Sequence, residues 1–140
     1  MSVLLVGIGN TLRRDDGAGA SVVERFVGRA DCHVLVVHQL LPEHVDELTR
    51  CDRVVFVDAA INTDRVRFER LTPSRSPPSL GHAGDPGWHL AFCESLHGYS
   101  PEAWLLTIPA TDLGFGDGLS LAAEEAVEEA VRLLEAHITK

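Results

Sequence analysis

Aromatic side chains are scarce in this chain, at 6% of 140 residues, so its core must be built from aliphatic packing. Cysteine is scarcer still: Cys32, Cys51 and Cys93 form no CxxC pair and are odd in number. They read as reduced thiols that pack as small hydrophobes, not as a disulfide frame or a nucleophile. Bases are outnumbered, 12 against 21 acids, for a formal net charge of -9. Such a surface repels phosphate backbones, which argues against nucleic acid as a partner. No apolar run approaches the roughly 20 residues that cross a bilayer. The first residues lack a basic stretch, and Gly7, Gly9 and Asn10 interrupt the apolar run that follows, so no signal peptide is expected. The expectation is a cytoplasmic protein with no membrane partner. Familiar hydrolase signatures are missing too: there is no GxSxG elbow and no HExxH pair.

What is present is ordinary globular material, 45% apolar and 24% charged, enough for one domain over residues 1–140. Val3 to Ile8 does not alternate with polar residues and predicts a fully buried strand. Further strands are expected at His33 to His38 and Arg53 to Asp58, a basic edge strand around Val66, Phe68 and Leu71, and a last one at Trp104 to Ile108. Helical spacing predicts helices from Asp16 to about Arg29, Glu43 to Leu48 and Trp88 to Leu96, and a final one capped by Ser120. Strands separated by helical crossovers imply an α/β fold: a twisted, mostly parallel five-stranded sheet with helices on both faces. The Thr72 to Gly87 stretch, rich in Pro and Gly, is a long loop of the kind that usually serves function.

The stretch GIGNTLRRDDGAG after the first strand invites a dinucleotide reading, but the fingerprint is incomplete. Leu12 stands where the third glycine belongs, and His38 ends the second strand where an acid would hold a ribose. The strand ends make a better constellation. Asp15 and Asp16 follow strand one, and Asp58 ends strand three, so a parallel sheet brings them to one edge, within reach of His82 in the long loop. Two carboxylates and an imidazole suit a divalent ion such as zinc or nickel. From spacing alone, simpler roles stay open: Asp16 as a helix cap, Asp58 as a turn residue, His82 as a solvated loop histidine. His38 and His89 are rival ligands.

The same stretch resembles the first motif of the hydrogenase maturation proteases, which trim the large subunit of [NiFe] hydrogenases. The likeness continues through VVFVDAA, LGHAGDPGWHLAFCESLHG and AWLLTIPATDLGFGDGLSLAAEEAV, and so covers nearly the whole chain in order. Carried over by motif, the resemblance places the metal-binding residues at Asp16, Asp58 and His82, with Asp16 and Asp58 as the catalytic acids. Asp16 stands where several members have Glu, and Gly81 precedes His82 where many have Ser. The resemblance implies an endopeptidase that removes a C-terminal peptide from a nickel-loaded large-subunit precursor. The nickel is presented by that substrate, with zinc or cadmium as candidate replacements. The ion is thus expected with the substrate and not as the protein's own cofactor; oligomeric state stays open, and with no coiled-coil heptad or obvious apolar patch in the sequence a monomer is expected. Gly17 and Gly19 are expected to let the partner's chain approach. The alternative is a non-catalytic nickel chaperone or sensor using the same ligands.

Overall fold

The computed structural model describes residues 2–74 and 85–139. With no polar side chain to turn toward water, β1 (Val3–Ile8) is buried at all six positions. It is flanked by β2 (His33–Val37) and β3 (Arg53–Ala60), both parallel to it. On the far side of β3 lies β5 (Glu102–Pro109), also parallel, and β4 (Arg67–Leu71) closes the sheet antiparallel to β5. The strand order is therefore β2-β1-β3-β5-β4. The expected five-stranded, mostly parallel sheet with a basic edge strand is present. Ile8 pairs with Asp58 across the β1–β3 ladder, so the carboxyl ends of these strands are level.

Alternation along the strands divides the core into two layers. Leu5, Val55, Val57, Leu106 and Ile108 pack against α1 (Ala18–Glu24) and α4 (Leu121–Ile138). Leu4, Val6, Val54 and Phe56 face α2 (Val45–Leu48) and α3 (Pro86–His97) on the opposite side. Helices on both faces are what right-handed crossovers require when the chain runs first from β1 to β2 and then back past β1 to β3. That reversal puts a topological switch point between β1 and β3, where open α/β sheets bind their ligands.

The first helix differs from its sequence expectation at both ends. Asp16 lies in a 3-10 turn, Arg14–Gly17, ahead of the helix. After Glu24, bonds from Arg25 N–H to Val22 O and from Phe26 N–H to Val23 O tighten the chain, and Gly28 turns it with a φ of +88°. The start of the helix is pressed onto the sheet. A Cβ on Gly19 would collide with the Val57 carbonyl and lie 2.9 Å from that of Ile8. Gly19 thus serves close packing of α1 on the protein's own β1 and β3, and Gly17 likewise abuts Thr11; neither is an opening for a partner chain. Gly19→Ala is expected to destabilise the fold by about 2 kcal/mol or more through overpacking, with an unchanged denaturant slope in urea unfolding.

Candidate active site

The turn after β1 is shaped by short-range hydrogen bonds. The Asn10 side chain accepts from Leu12 N–H at 2.9 Å, and Asn10 O accepts from Arg13 N–H at 3.0 Å. Arg14 then takes a left-handed φ of +43°, uncommon for a side-chain-bearing residue, and reverses the chain so that two consecutive aspartates point to different environments. Gly9, at φ +138°, leaves its open side to the backbone of Asp16, whose carbonyl would clash with any Cβ there. In a dinucleotide-binding turn that space belongs to the pyrophosphate; here the chain itself fills it.

Asp15 is fully buried. Its Oδ2 accepts hydrogen bonds from Thr111 N–H (2.9 Å) and Oγ1 (3.2 Å), Asp112 N–H (3.0 Å) and Ser120 Oγ (2.8 Å). Its Oδ1 accepts from Ser120 N–H at 2.7 Å. Burial alone would push this carboxyl up, but the donors from Ser120, Thr111 and Asp112 outweigh it and hold the pKa at about 2. Ser120 does double duty, since its Oγ also accepts from Ala123 N–H and caps α4, the one role its sequence position suggests. Nothing in the local pattern of residues 111–120 marks them as Asp15's partners.

Asp16 and Asp58 form the second pair. Asp16 Oδ2 accepts from Asn10 N–H at 2.7 Å, and Asp58 Oδ1 accepts from Ala59 N–H at 2.9 Å. The other oxygen of each makes no hydrogen bond among the described residues. Desolvation raises the Asp58 pKa to about 6; the Ala59 N–H opposes the rise, and the negative charge of Asp16 adds to it. Asp58 therefore senses the charge of Asp16. Each is oriented by one backbone donor and leaves one oxygen free, which is how carboxylate ligands to a divalent ion are commonly held. Asn10 and Ala59, whose amides do the orienting, escape a reading of side-chain chemistry because they act through backbone.

The histidines part company. His82 lies outside the described residues. His89 is buried on α3, with Nδ1 against the Asp85 carbonyl at 2.9 Å and its ring among Leu4, Val6, Leu40 and Phe56. A carbonyl can only accept, so Nδ1 carries the proton. His38 is exposed beyond the end of β2. Among the described residues no three of His, Cys, Asp and Glu are grouped to hold a metal, so neither histidine joins the acid pair. Asp85 caps α3 through Gly87 N–H at 2.9 Å. Beside Asp58 an open groove of about 300 Å³ runs over β3, β5 and β4, lined by Asn62, Thr63, Arg67, Glu69, Pro86 and Thr107.

Two expectations follow from these carboxylates. Asp15→Ala strands five donors and should cost about 3 kcal/mol or more, read by urea unfolding at pH 7. Because the native pKa lies below the ordinary 3.8, the stability Asp15 contributes is complete above pH 4 and lost as pH falls toward 2. Asp58 has the opposite sign. Its native pKa of about 6 exceeds the ordinary 3.8, so ionisation opposes folding above pH 6 and ceases to matter below pH 4. Asp58→Asn should be more stable than the natural protein by about 2–3 kcal/mol at pH 8, with the gap closing between pH 6 and 4. Equal stability at pH 8 would show that Asp58 is well solvated.

No protein-family model matches the chain, and no curated protein matches it. Solved structures do. Hydrogenase maturating endopeptidase HybD from E. coli superposes with a TM-score of 0.80 at 20% identity, over 99% of this chain and 93% of that one. The [NiFe] hydrogenase maturation protease HybD from Thermococcus kodakarensis gives 0.75 at 22%, over 99% of each chain. The protease HycI from the same organism gives 0.73 at 22%, over 99% of this chain and 92% of that one. From β1 to α4, the chain has the fold of the hydrogenase maturation endopeptidases.

Proposed function

We propose that this protein is an endopeptidase that removes a C-terminal peptide from the nickel-loaded precursor of a [NiFe] hydrogenase large subunit. The observation that carries the reading is the pairing of Asp16 and Asp58 at the β1–β3 switch point, each with one carboxylate oxygen anchored by backbone and one left over. The shared fold with named maturation endopeptidases and the motif resemblance support it.

In this reading the nickel is part of the substrate. Asp58, desolvated and beside the charge of Asp16, gains from an incoming cation, and the free oxygens of Asp16 and Asp58 complete its coordination together with His82. Zinc or cadmium, with similar ligand preferences, would take the same place. Asp16 then serves as the base that takes a proton from the attacking water. The groove beside Asp58, lined by Asn62, Thr63 and Thr107, accommodates backbone flanking the cut. A precursor without nickel offers the acids nothing to bind, so cleavage doubles as a check on metal insertion.

The purified protein should shorten the nickel-loaded precursor, seen as a single mass loss by mass spectrometry, and leave the nickel-free precursor whole. Asp16→Ala, Asp58→Ala and His82→Ala should each lower the rate at least a hundredfold while circular dichroism is unchanged. Equal cutting of both precursors removes the nickel dependence, and cutting of neither removes the endopeptidase reading. Tight calorimetric binding of free nickel without any cut would indicate a metal carrier instead.

A further inference from the structure

Among the described residues, the most exposed large apolar side chains favour one edge of the sheet, whereas the less exposed Val36, Leu96, Tyr99 and Leu133 lie elsewhere. Phe115, Leu121, Ile61, Val27 and Leu12 are the most exposed of them, from 87% down to 60%. Four of the five lie in segments that follow the carboxyl ends of strands: Leu12 after β1, Ile61 after β3, and Phe115 and Leu121 after β5. Only Val27 lies elsewhere, in the turn beyond α1. Single exposed hydrophobes need no explanation, but apolar side chains held next to one another near an acidic site mark an interaction surface.

The rim is also held in place. Gly116 N–H donates to Leu12 O at 2.9 Å and Arg14 N–H donates to Gly116 O at 3.2 Å, a short two-stranded zipper that sets Leu12 and Phe115 side by side in the backbone. A separate tie runs from Asp15 N–H to Asp112 O at 2.9 Å, and the Asp15 carboxylate locks the base of the same loop. Anchors fixed before binding lose little entropy on docking. A phenylalanine exposed at 87% gains nothing for the fold and much for an interface, where aromatic residues dominate binding.

Charge identifies the occupant. The strand ends that these segments follow carry Asp16 and Asp58, and the protein as a whole has a net charge of -9. A second copy docked face to face would oppose acid to acid, and an anionic membrane would be repelled. A protein whose face presents a cation within apolar surroundings meets both requirements. We propose that Leu12 and Phe115 are the apolar anchors of a docking surface, completed by Ile61 and Leu121, for a folded protein that carries a metal cation at the centre of the face it presents. This rests on the endopeptidase reading and adds the surface by which that substrate is held.

The test is steady-state cleavage of nickel-loaded precursor by the natural protein, Phe115→Ser and the Leu12→Ser/Phe115→Ser double variant, with thermal melts alongside. The expected result is a KM raised about tenfold or more for the double variant, kcat within twofold, and an unchanged melting temperature. An unchanged KM overturns the docking surface and leaves the endopeptidase reading standing. No cutting by the natural protein overturns both. Sedimentation showing a dimer that the double variant dissolves assigns the patch to a second copy and overturns the proposal.

Discussion

The structure depends on one buried carboxylate. The Asp15 side chain has no access to water, yet all five hydrogen bonds to its carboxylate come from residues 96 to 105 positions away, at Thr111, Asp112 and Ser120. Removing a carboxylate from water is costly, and only a full set of donors repays it. Here the donors are two loop amides, the amide of a helix cap and two hydroxyls, so the interaction ties together the turn after β1, the loop after β5 and the start of α4. With Asp15 held, the adjacent Asp16 is positioned on the other side of the turn, opposite Asp58.

The same functional group is thus used in opposite ways within one site. Asp15 and Asp58 are both shielded from solvent, but Asp15 is surrounded by donors and falls to about 2, whereas Asp58 has one backbone donor and an acidic neighbour and rises to about 6. Surroundings, not residue type, decide which carboxylate holds the fold together and which is left wanting a positive partner. A structural acid with its bonds satisfied has nothing to offer a substrate. An under-satisfied pair is where chemistry can be placed, and where the protein gives up stability to keep it.

Topology adds the rest. Reversal of strand order between β1 and β3 opens a crevice at their carboxyl ends, and close packing of α1, allowed by Gly19, draws the Asp16 turn over it. The absence of space at Gly9 for anything but the Asp16 backbone converts a turn that looks made for a phosphate into one that holds an acid. Glycine spacing alone does not distinguish these uses, because both require a backbone free of side chains and differ only in what approaches it.

By itself the sequence determined what is local. The apolar runs at Val3 to Ile8 and Arg53 to Asp58 specify buried strands, the helical spacing after Ser120 specifies α4, and crossover chirality then dictates a mostly parallel sheet with Asp16 and Asp58 at one edge. These follow from periodicity and handedness, which act over a few residues at a time. Tertiary structure alone decided the division of labour between Asp15 and Asp16, the burial of His89 among Leu4, Val6 and Phe56, and the early end of α1. Two adjacent aspartates are chemically alike in a sequence. They become different only when donors 96 to 105 residues away close around one of them and leave the other facing Asp58.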